Sequence, residues 1–531
     1  MYGNGAARWA GDPHVVGVQP TGASRVFLPG GAMGAEQQIA YFLRELAGAD
    51  PGRRAAAAKG LGRTGGPEHA GVLVGATGDP VPGVRAGAAR GLGRLGVPQA
   101  GATVLPRLMR DTDADVRRRA SLAAIRLGLA GREVTEAFAS LLGDPDHHVR
   151  INALAGLATL DVPGDAVALV RLLGDPRGQV WGHARMLVHR FGADPAVEAE
   201  MLRTAREGES AARARALDML SRDRTGTLLD SLLAGLRDPS PEVRRAVAPW
   251  LLDLERPAVR DALVAALRTE RDPGVADLLL GGLGWRGEHR VTGLAARWLR
   301  DPLTGRGAAR TLGRLGGRAA VDLLGDVLDD STLPAGTRAA AAEGVGEAGR
   351  WDAVWVLLPL LDDPDAAVRA GVIGGLGRLV HEGLRLWERR PVAWALTGHL
   401  ASGKDAARRT TDALHGLAEA LPAVRRLADT SASGEVRAAA LSVLDAEDAP
   451  DRRTARQDVR RFERGLDDEH EDVRLEAVRG LARWAAQGAL PPVGKAVRAR
   501  LTALAGDEAS SPSLRREAAE LLMAPDANRE E

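Results

Sequence analysis

The chain contains no cysteine in 531 residues. Disulfides, thiolate metal sites and a cysteine nucleophile are therefore excluded. Lysine is nearly missing as well: Lys59, Lys404 and Lys495 are three of 71 basic residues, and the rest are arginine. Aromatic residues make up 3%, which argues against strand-rich folds, where β-branched and aromatic side chains dominate. Neither sign of charge prevails. Seventy acidic residues leave a net charge of +1, so there is no chain-wide field of the kind that gathers nucleic acid or anionic membrane. Long apolar runs are also lacking. The longest, Val354–Leu361, falls far short of the roughly 20 residues a membrane helix needs. Residues 1–31 show no basic start followed by an apolar stretch, so they do not form a secretory signal. These absences predict a soluble, cytoplasmic protein with no membrane partner. Met33 directly precedes the first helical pattern, and residues 1–35 are expected to be a disordered leader or a mis-assigned start.

What is present is one stretch, many times over. DPVPGVRAGAARGLGRLG runs from Asp79 to Gly96, and kindred stretches begin at Asp111, Asp144, Asp238, Asp363 and Asp468. In all six an Asp stands six residues before an Arg, with Val immediately before that Arg. Taking the Arg or its equivalent as an anchor places anchors at Arg54, Arg85, Arg117, Arg150, Trp181, Arg213, Arg244 and Ala276. They continue at Gly305, Arg338, Arg369, Arg408, Arg437, Arg474 and Arg515. Up to Arg369 the anchors lie 29 to 33 residues apart, a period that marks a solenoid.

Each anchor opens a helix, here called B. Anchor +3, +7 and +10 are apolar, as in Ala88, Leu92, Leu95 and Val247, Leu251, Leu254, and those steps put one stripe on one helix face. Ser240-Pro241-Glu242 reads as an N-cap hydroxyl, a proline at the first helical position and an acid in the first turn. Gly65, Gly96, Gly128, Gly192, Gly316 and Gly349 stand at anchor +11, where a left-handed cap favours glycine. A shorter helix A precedes each anchor, for example TEAFASLLGD and GTLLDSLLAGLRD. A single hairpin could not bury both its faces, so stacked neighbours must complete the core. The expected fold is all-α, a right-handed α-solenoid of about 15 helical hairpins. Residues 36–380 would hold regular repeats, 381–524 repeats of longer, irregular spacing, and 525–531 a tail.

Two helices per unit, Asp six residues before Val-Arg, and the apolar stripe on helix B resemble HEAT repeats. The short, Ala- and Gly-rich form resembles the HEAT-like repeats named after phycobilisome lyases, over about nine-tenths of the chain. The resemblance implies a ladder in which Asp and Arg hydrogen-bond along and between neighbouring units. Its members here would be Asp79 and Arg85, Asp111 and Arg117, Asp144 and Arg150, Asp238 and Arg244, Asp363 and Arg369, and Asp468 and Arg474. Fifteen copies of a catalytic residue would serve no purpose, whereas fifteen copies of a joint are expected.

A second arginine series occupies anchor +9: Arg63, Arg94, Arg126, Arg190, Arg222, Arg314, Arg378 and Arg483. A basic stripe is one reading, and a cation complementing the C-terminal end of the helix dipole is the simpler one. Locally, residues 36–135 carry 15 basic and 9 acidic side chains. Arg107, Arg110, Arg117, Arg118 and Arg119 form the candidate anion-binding cluster. Four histidines fall in adjacent units, His147, His148, His183 and His189, but their spacing does not suit a shared metal, and no metal or cofactor is expected.

The anchor spacing widens after Arg369, through HEGLRLWERRPVAWALTGHL. Trp351, Trp355, Arg385, Trp387, Arg389, Arg390 and Trp394 gather around this insertion, and tryptophan with arginine is the chemistry of binding hot spots. Enzyme readings find little support. The iron-dependent HEAT-repeat hydroxylase of deoxyhypusine uses several His-Glu dipeptides, and this chain has two, His381-Glu382 and His470-Glu471, on different repeats. No catalytic residue is assigned. Three functions stay open: a scaffold binding a protein or peptide, a nucleic-acid-binding solenoid working through the basic N-terminal repeats, and an accessory lyase or oxidoreductase of the HEAT-like kind.

Overall fold

A computed structural model describes residues 34–221, 228–349, 352–403, 407–444, 451–487 and 494–523. The expected leader lies outside these residues except for Gly34 and Ala35, and Ala35 already opens the first helix. The expected tail lies outside them too. The described residues hold thirty α-helices and no strand. Every sequence anchor falls inside a helix, from Arg54 in Pro51–Thr64 to Arg515 in Pro512–Met523, and a helix A precedes each. The chain is thus an α-solenoid of repeated hairpins. It divides into two compact units, residues 1–172 with 176–193, and residues 173–175 with 194–531.

Within each unit the densest packing runs from one B helix to the next, as between Ala335–Ala348 and Ala366–Glu382. Small residues make this possible. A Cβ built on Gly346 would stand 2.4 Å from the Gly375 Cα, and one on Gly62 would stand 2.3 Å from the Gly91 Cα. The alanine and glycine bias therefore sets the spacing of the stack.

The buried stripe reaches one turn further toward the start of helix B than expected. Anchor +3 and +7 are fully buried (Ala88, Leu92; Val247, Leu251), and the valine before the anchor, Val84 or Val243, joins them. At +10 the outcome varies: Leu95 and Leu254 are half-buried, whereas Leu127, Leu315, Leu379 and Trp484 are buried as expected. The caps also need correction. Ser240 stands at the N-cap, but its hydroxyl makes no capping bond, and its N–H donates to Asp238 instead. Asp113 and Asp146, four residues before their anchors, do cap: each accepts two N–H bonds from the first turn. Of the six glycines at +11, Gly96 takes the left-handed helical conformation and Gly128 has positive φ. Gly316 and Gly349 have positive φ but extended ψ, and Gly65 and Gly192 have no positive φ, so the left-handed helical cap is absent at these four.

The anchor arginines join successive repeats. Arg85 Nε and Nη2 donate to the two carboxylate oxygens of Asp111, one repeat onward, at 2.7 and 2.8 Å. Its Nη1 donates to the backbone carbonyls of Asp79 and Pro80 in its own turn, both at 3.0 Å. Asp111 Oδ1 in turn accepts the Asp113 N–H. Arg54–Asp79, Arg117–Asp144, Arg213–Asp238 and Arg437–Asp468 repeat the forked pairing. Arg244 meets Glu270 in the same way, and Arg338 reaches Asp363. Inside a repeat, Asp and Arg meet through the backbone: Arg150, Arg369 and Arg474 donate Nη1 to the carbonyls of Asp144, Asp363 and Asp468. In each of these seven pairs the carboxylate serves the arginine of the preceding repeat. A guanidinium fork satisfies two oxygens and still has donors for orphan carbonyls.

Where the anchor is missing, other groups serve the carboxylate. Asp301, which follows Ala276, is held by the Thr304 hydroxyl and by two N–H groups. Asp330, which follows Gly305, takes Arg300 and Thr332.

Two outcomes follow from this packing. Gly346→Ala should destabilise the chain despite alanine's higher helix propensity. Gly281→Ala, at a helical glycine whose Cβ meets nothing within 4 Å, should stabilise it by about 0.5–1 kcal/mol. Opposite signs in urea unfolding are the check, and equal signs would contradict the close B–B approach.

The ladder also fixes the direction of an acid response. The Arg54 hydrogen bond holds Asp79 below the usual carboxylate range. For Asp111, Asp238, Asp468 and Glu270 burial pushes upward, but the arginine partner and the turn N–H groups together outweigh it. The unfolded chain therefore binds protons more readily. The ladder's stability is complete above about pH 4, the unfolded carboxylate value, and is lost as pH falls through the lower folded values. The thermal midpoint by circular dichroism should be flat from pH 7 to 5 and fall steeply below 4. Asp79→Asn with Asp111→Asn should lower the midpoint at pH 7 and flatten the acid limb.

Candidate functional site

The helix Leu386–Ser402 lies within the widened step between Arg369 and Arg408, and it exposes three large apolar side chains. Trp387 is 64% exposed, Trp394 81% and Leu386 83%. Residues 387, 390, 394 and 398 recur at helical spacing, so Trp387, Arg390 and Trp394 share one face, and all are exposed. Gly398 extends that face, with open space where a Cβ would stand. The opposite face, with Val392, Leu396 and Leu400, is buried. Nothing in the hairpin's own packing requires the two indoles to be apolar.

The predicted members of this cluster have different roles. Arg385 lies over the Trp387 ring, 5.5 Å from its centroid, and so presents one cation-backed indole. Arg389 is occupied: it donates to Glu419 and to the Gly416 carbonyl of the next repeat, which makes it a joint rather than a free contact. Arg390 is exposed and forms no ion pair with a described carboxylate. Trp355 is half-exposed on the preceding A helix, Ala353–Leu357. Trp351 lies outside the described residues. Elsewhere tryptophan does fill gaps: Trp484 is fully buried edge-on to Phe462, which itself fills the space at Gly480.

The predicted anion cluster disperses. Arg117 is committed to Asp144, Arg119 to Asp115 at 3.1 Å, and Arg107 donates to Thr77. Arg110 is exposed at the end of a different helix. Arg118 lies near His148, whose pKa is lowered first by burial and then by that guanidinium. His147 and His148 stack at 4.0 Å, while His183 bonds the Gln179 carbonyl. Among the described residues no three metal-ligating side chains converge.

The +9 row is more informative. In the second unit it is self-neutralising: Arg314 lies 4.2 Å from the Trp285 ring centroid, and Glu347 bridges Arg314 at 3.9 Å and Arg378 at 3.2 Å. These four residues occupy +9 of four successive repeats, so +9 side chains of neighbouring repeats touch. Arg483 reaches the Ser442 carbonyl, and Arg190 in the first unit pairs with Asp161 at 2.6 Å. Arg63, Arg94 and Arg126 are exposed and form no ion pair with any described carboxylate. Arg222 lies outside the described residues. Lys59 and Arg90 join this row from one turn earlier, and the sequence reading missed both. The available signal was the near-absence of acid from the surrounding B helices.

A groove of 690 Å³ opens across the B helices Ala407–Leu414, Gly434–Val443 and Glu471–Ala486. Its lining mixes Arg408, Asp412, His415, Glu435 and Glu476, so its charges cancel within it. No described helix is long and apolar enough to cross a membrane.

A family model described as HEAT repeats matches residues 39–126 and 102–186. Among solved structures, importin beta is similar over 91% of this chain and 76% of its own, at 13% identity and a TM-score of 0.51. Kap121p matches over 92% of this chain at 13% identity and a TM-score of 0.41. Kap121p bound to Pho4p matches at a TM-score of 0.39. The chain spans 66% of the length of those two Kap121p chains. No curated protein matches the sequence. The importin beta likeness shows the HEAT-type solenoid fold, and nothing beyond the fold follows from it.

Proposed function

We propose that the chain is a non-catalytic scaffold that holds a protein or peptide partner on its helical surface. The observation that carries this reading is the pair of indoles on Leu386–Ser402, with Arg390 between them on one face. Exposed tryptophan is costly to keep in water, and tryptophan with arginine dominates the binding energy of protein interfaces. The surface lies where the repeat spacing departs from its template, at the step of 39 residues between Arg369 and Arg408. A solenoid gathers affinity from contacts spread along many repeats, which suits a scaffold better than an enzyme. Two His-Glu dipeptides on separate repeats, His381-Glu382 and His470-Glu471, leave a HEAT-type iron enzyme short of its ligand set. The short repeat, rich in alanine and glycine, supports placing it with the phycobilisome-lyase type, and the lack of cysteine is in keeping with a cytoplasmic setting.

Affinity capture on the immobilised full chain from native lysate, with mass spectrometry of bound proteins and nucleic acids, tests the reading. The expected result is a protein partner whose capture falls at least about 30-fold with Trp387→Ala plus Trp394→Ala, the scale of a hot-spot loss of about 2 kcal/mol. Both indoles are exposed, so the variant's thermal midpoint should be unchanged. Retention of nucleic acid alone, or an unchanged protein set with the double variant, contradicts the proposal.

A further inference from the structure

The B helices of the first unit have a charge pattern unlike most of those of the second, where only Gly305–Leu315 among the described B helices lacks an acidic residue. Pro51–Thr64, Pro82–Leu95, Ala114–Arg126, His147–Leu160 and Gly178–Arg190 contain one acidic residue between them, Asp115. In the second unit, helix Glu471–Ala486 alone contains three, Glu471, Asp472 and Glu476. The first three of these helices bring Arg63, Arg94, Arg119 and Arg126 within electrostatic reach of Arg90, and of these only Arg119 has a described carboxylate as partner, Asp115. Burial and the charges of Arg94, Arg119, Arg126 and Arg63 all push the Arg90 pKa down, and no carboxylate opposes them. The +9 contacts of the second unit show that equivalent positions in neighbouring repeats touch, and there nature alternates arginine with glutamate or tryptophan. In the first three repeats the same positions are arginine each time, held together by glycine-lined stacking of Gly62 on Gly91 and Gly93 on Ala123. The helix-dipole reading explains one cation per helix end. It does not explain Lys59 and Arg90, which lie earlier on their helices.

We infer that the B-helix face of the first three repeats docks an extended acidic segment of a protein partner, its carboxylates taking the place that Glu347 fills in the second unit. The inference rests on the scaffold reading and names the chemistry of one partner segment. Helix axes in such a stack lie about 8–10 Å apart, and an extended chain advances about 3.3 Å per residue. One carboxylate about every third residue therefore meets successive +9 arginines. Planar guanidinium groups pair with carboxylates in forked geometry. Nucleic acid fits this face less well. The three helices carry no aromatic residue or histidine on which single-stranded bases could stack. The row ends at Thr159 in the fourth repeat, short of a continuous phosphate track, and the chain's net charge of +1 supplies no wider field.

Fluorescence anisotropy with the full chain in 50 mM salt tests this. The probes are a labelled twelve-residue peptide with Glu at every third position, the same composition with its Glu residues contiguous, a 12-nucleotide single strand and a 12-base-pair duplex. The spaced peptide should bind saturably and most tightly, weakening as salt rises. Arg63→Gln, Arg94→Gln and Arg126→Gln together should reduce its affinity at least about 30-fold. The same triple variant should keep or raise the thermal midpoint, because it relieves repulsion between unpaired cations. A lowered midpoint with unchanged peptide affinity would assign the row to helix capping and overturn the inference. Tighter binding of either nucleic acid would also overturn it, as would no saturable peptide binding. Neither result touches the tryptophan surface of the second unit, so partner capture that depends on Trp387 and Trp394 could still succeed.

Discussion

The joint between an anchor arginine and the carboxylate of the following repeat is the constraint around which the solenoid is organised. A hairpin of two short helices buries too little apolar surface to persist alone, and each therefore depends on its neighbours. The arginine fixes that dependence in one direction. Its fork closes on the next repeat's carboxylate while its remaining nitrogen ties down its own turn. The same carboxylate receives an N–H from the turn it begins, so one side chain sets both the register between repeats and the entry to the next B helix. Glu270 can replace aspartate because the fork needs two oxygens rather than a particular stem. Where the anchor is absent, hydroxyl and backbone groups fill the carboxylate's bonds, since leaving it buried without partners would be costly.

Fixed register has consequences on the surface. Close approach at Gly346 and Gly375, or Gly62 and Gly91, brings equivalent positions of successive helices into contact. Charges at those positions must then be balanced row by row rather than over the whole chain. Trp285, Arg314, Glu347 and Arg378 show a balanced row. Arg63, Arg94 and Arg126 show an unbalanced one, and an overall charge of +1 conceals it. The two candidate surfaces thus differ in kind: apolar and aromatic on an A helix of the second unit, cationic on the B helices of the first.

Much of this was legible in the residues, for reasons that can be named. All fifteen anchors lie in B helices because the anchor motif bundles a turn, a first helical residue and a core valine into seven positions. The exposure of Trp387 and Trp394 was less legible. Spacing places them two turns apart on one face, but an indole at a helical position is equally suited to filling a gap, as Trp484 does against Phe462. Arg389 falls among the candidate partner contacts because its tie to Glu419, thirty residues away, leaves no local trace. The cluster from Arg107 to Arg119 looked compact along the chain, but it spans the end of one helix and the start of another.

The repeat period, the helical hairpin and the identity of its joint residues were determined by the sequence alone, because these depend on contacts within some thirty residues and recur often enough to stand out. Tertiary structure decided which repeat each carboxylate serves, which valine closes the core stripe, and whether a given +9 arginine is balanced. Those outcomes depend on the distance between stacked helices. That distance is set by side chains missing from glycines on two different repeats, and no single stretch of the chain specifies it.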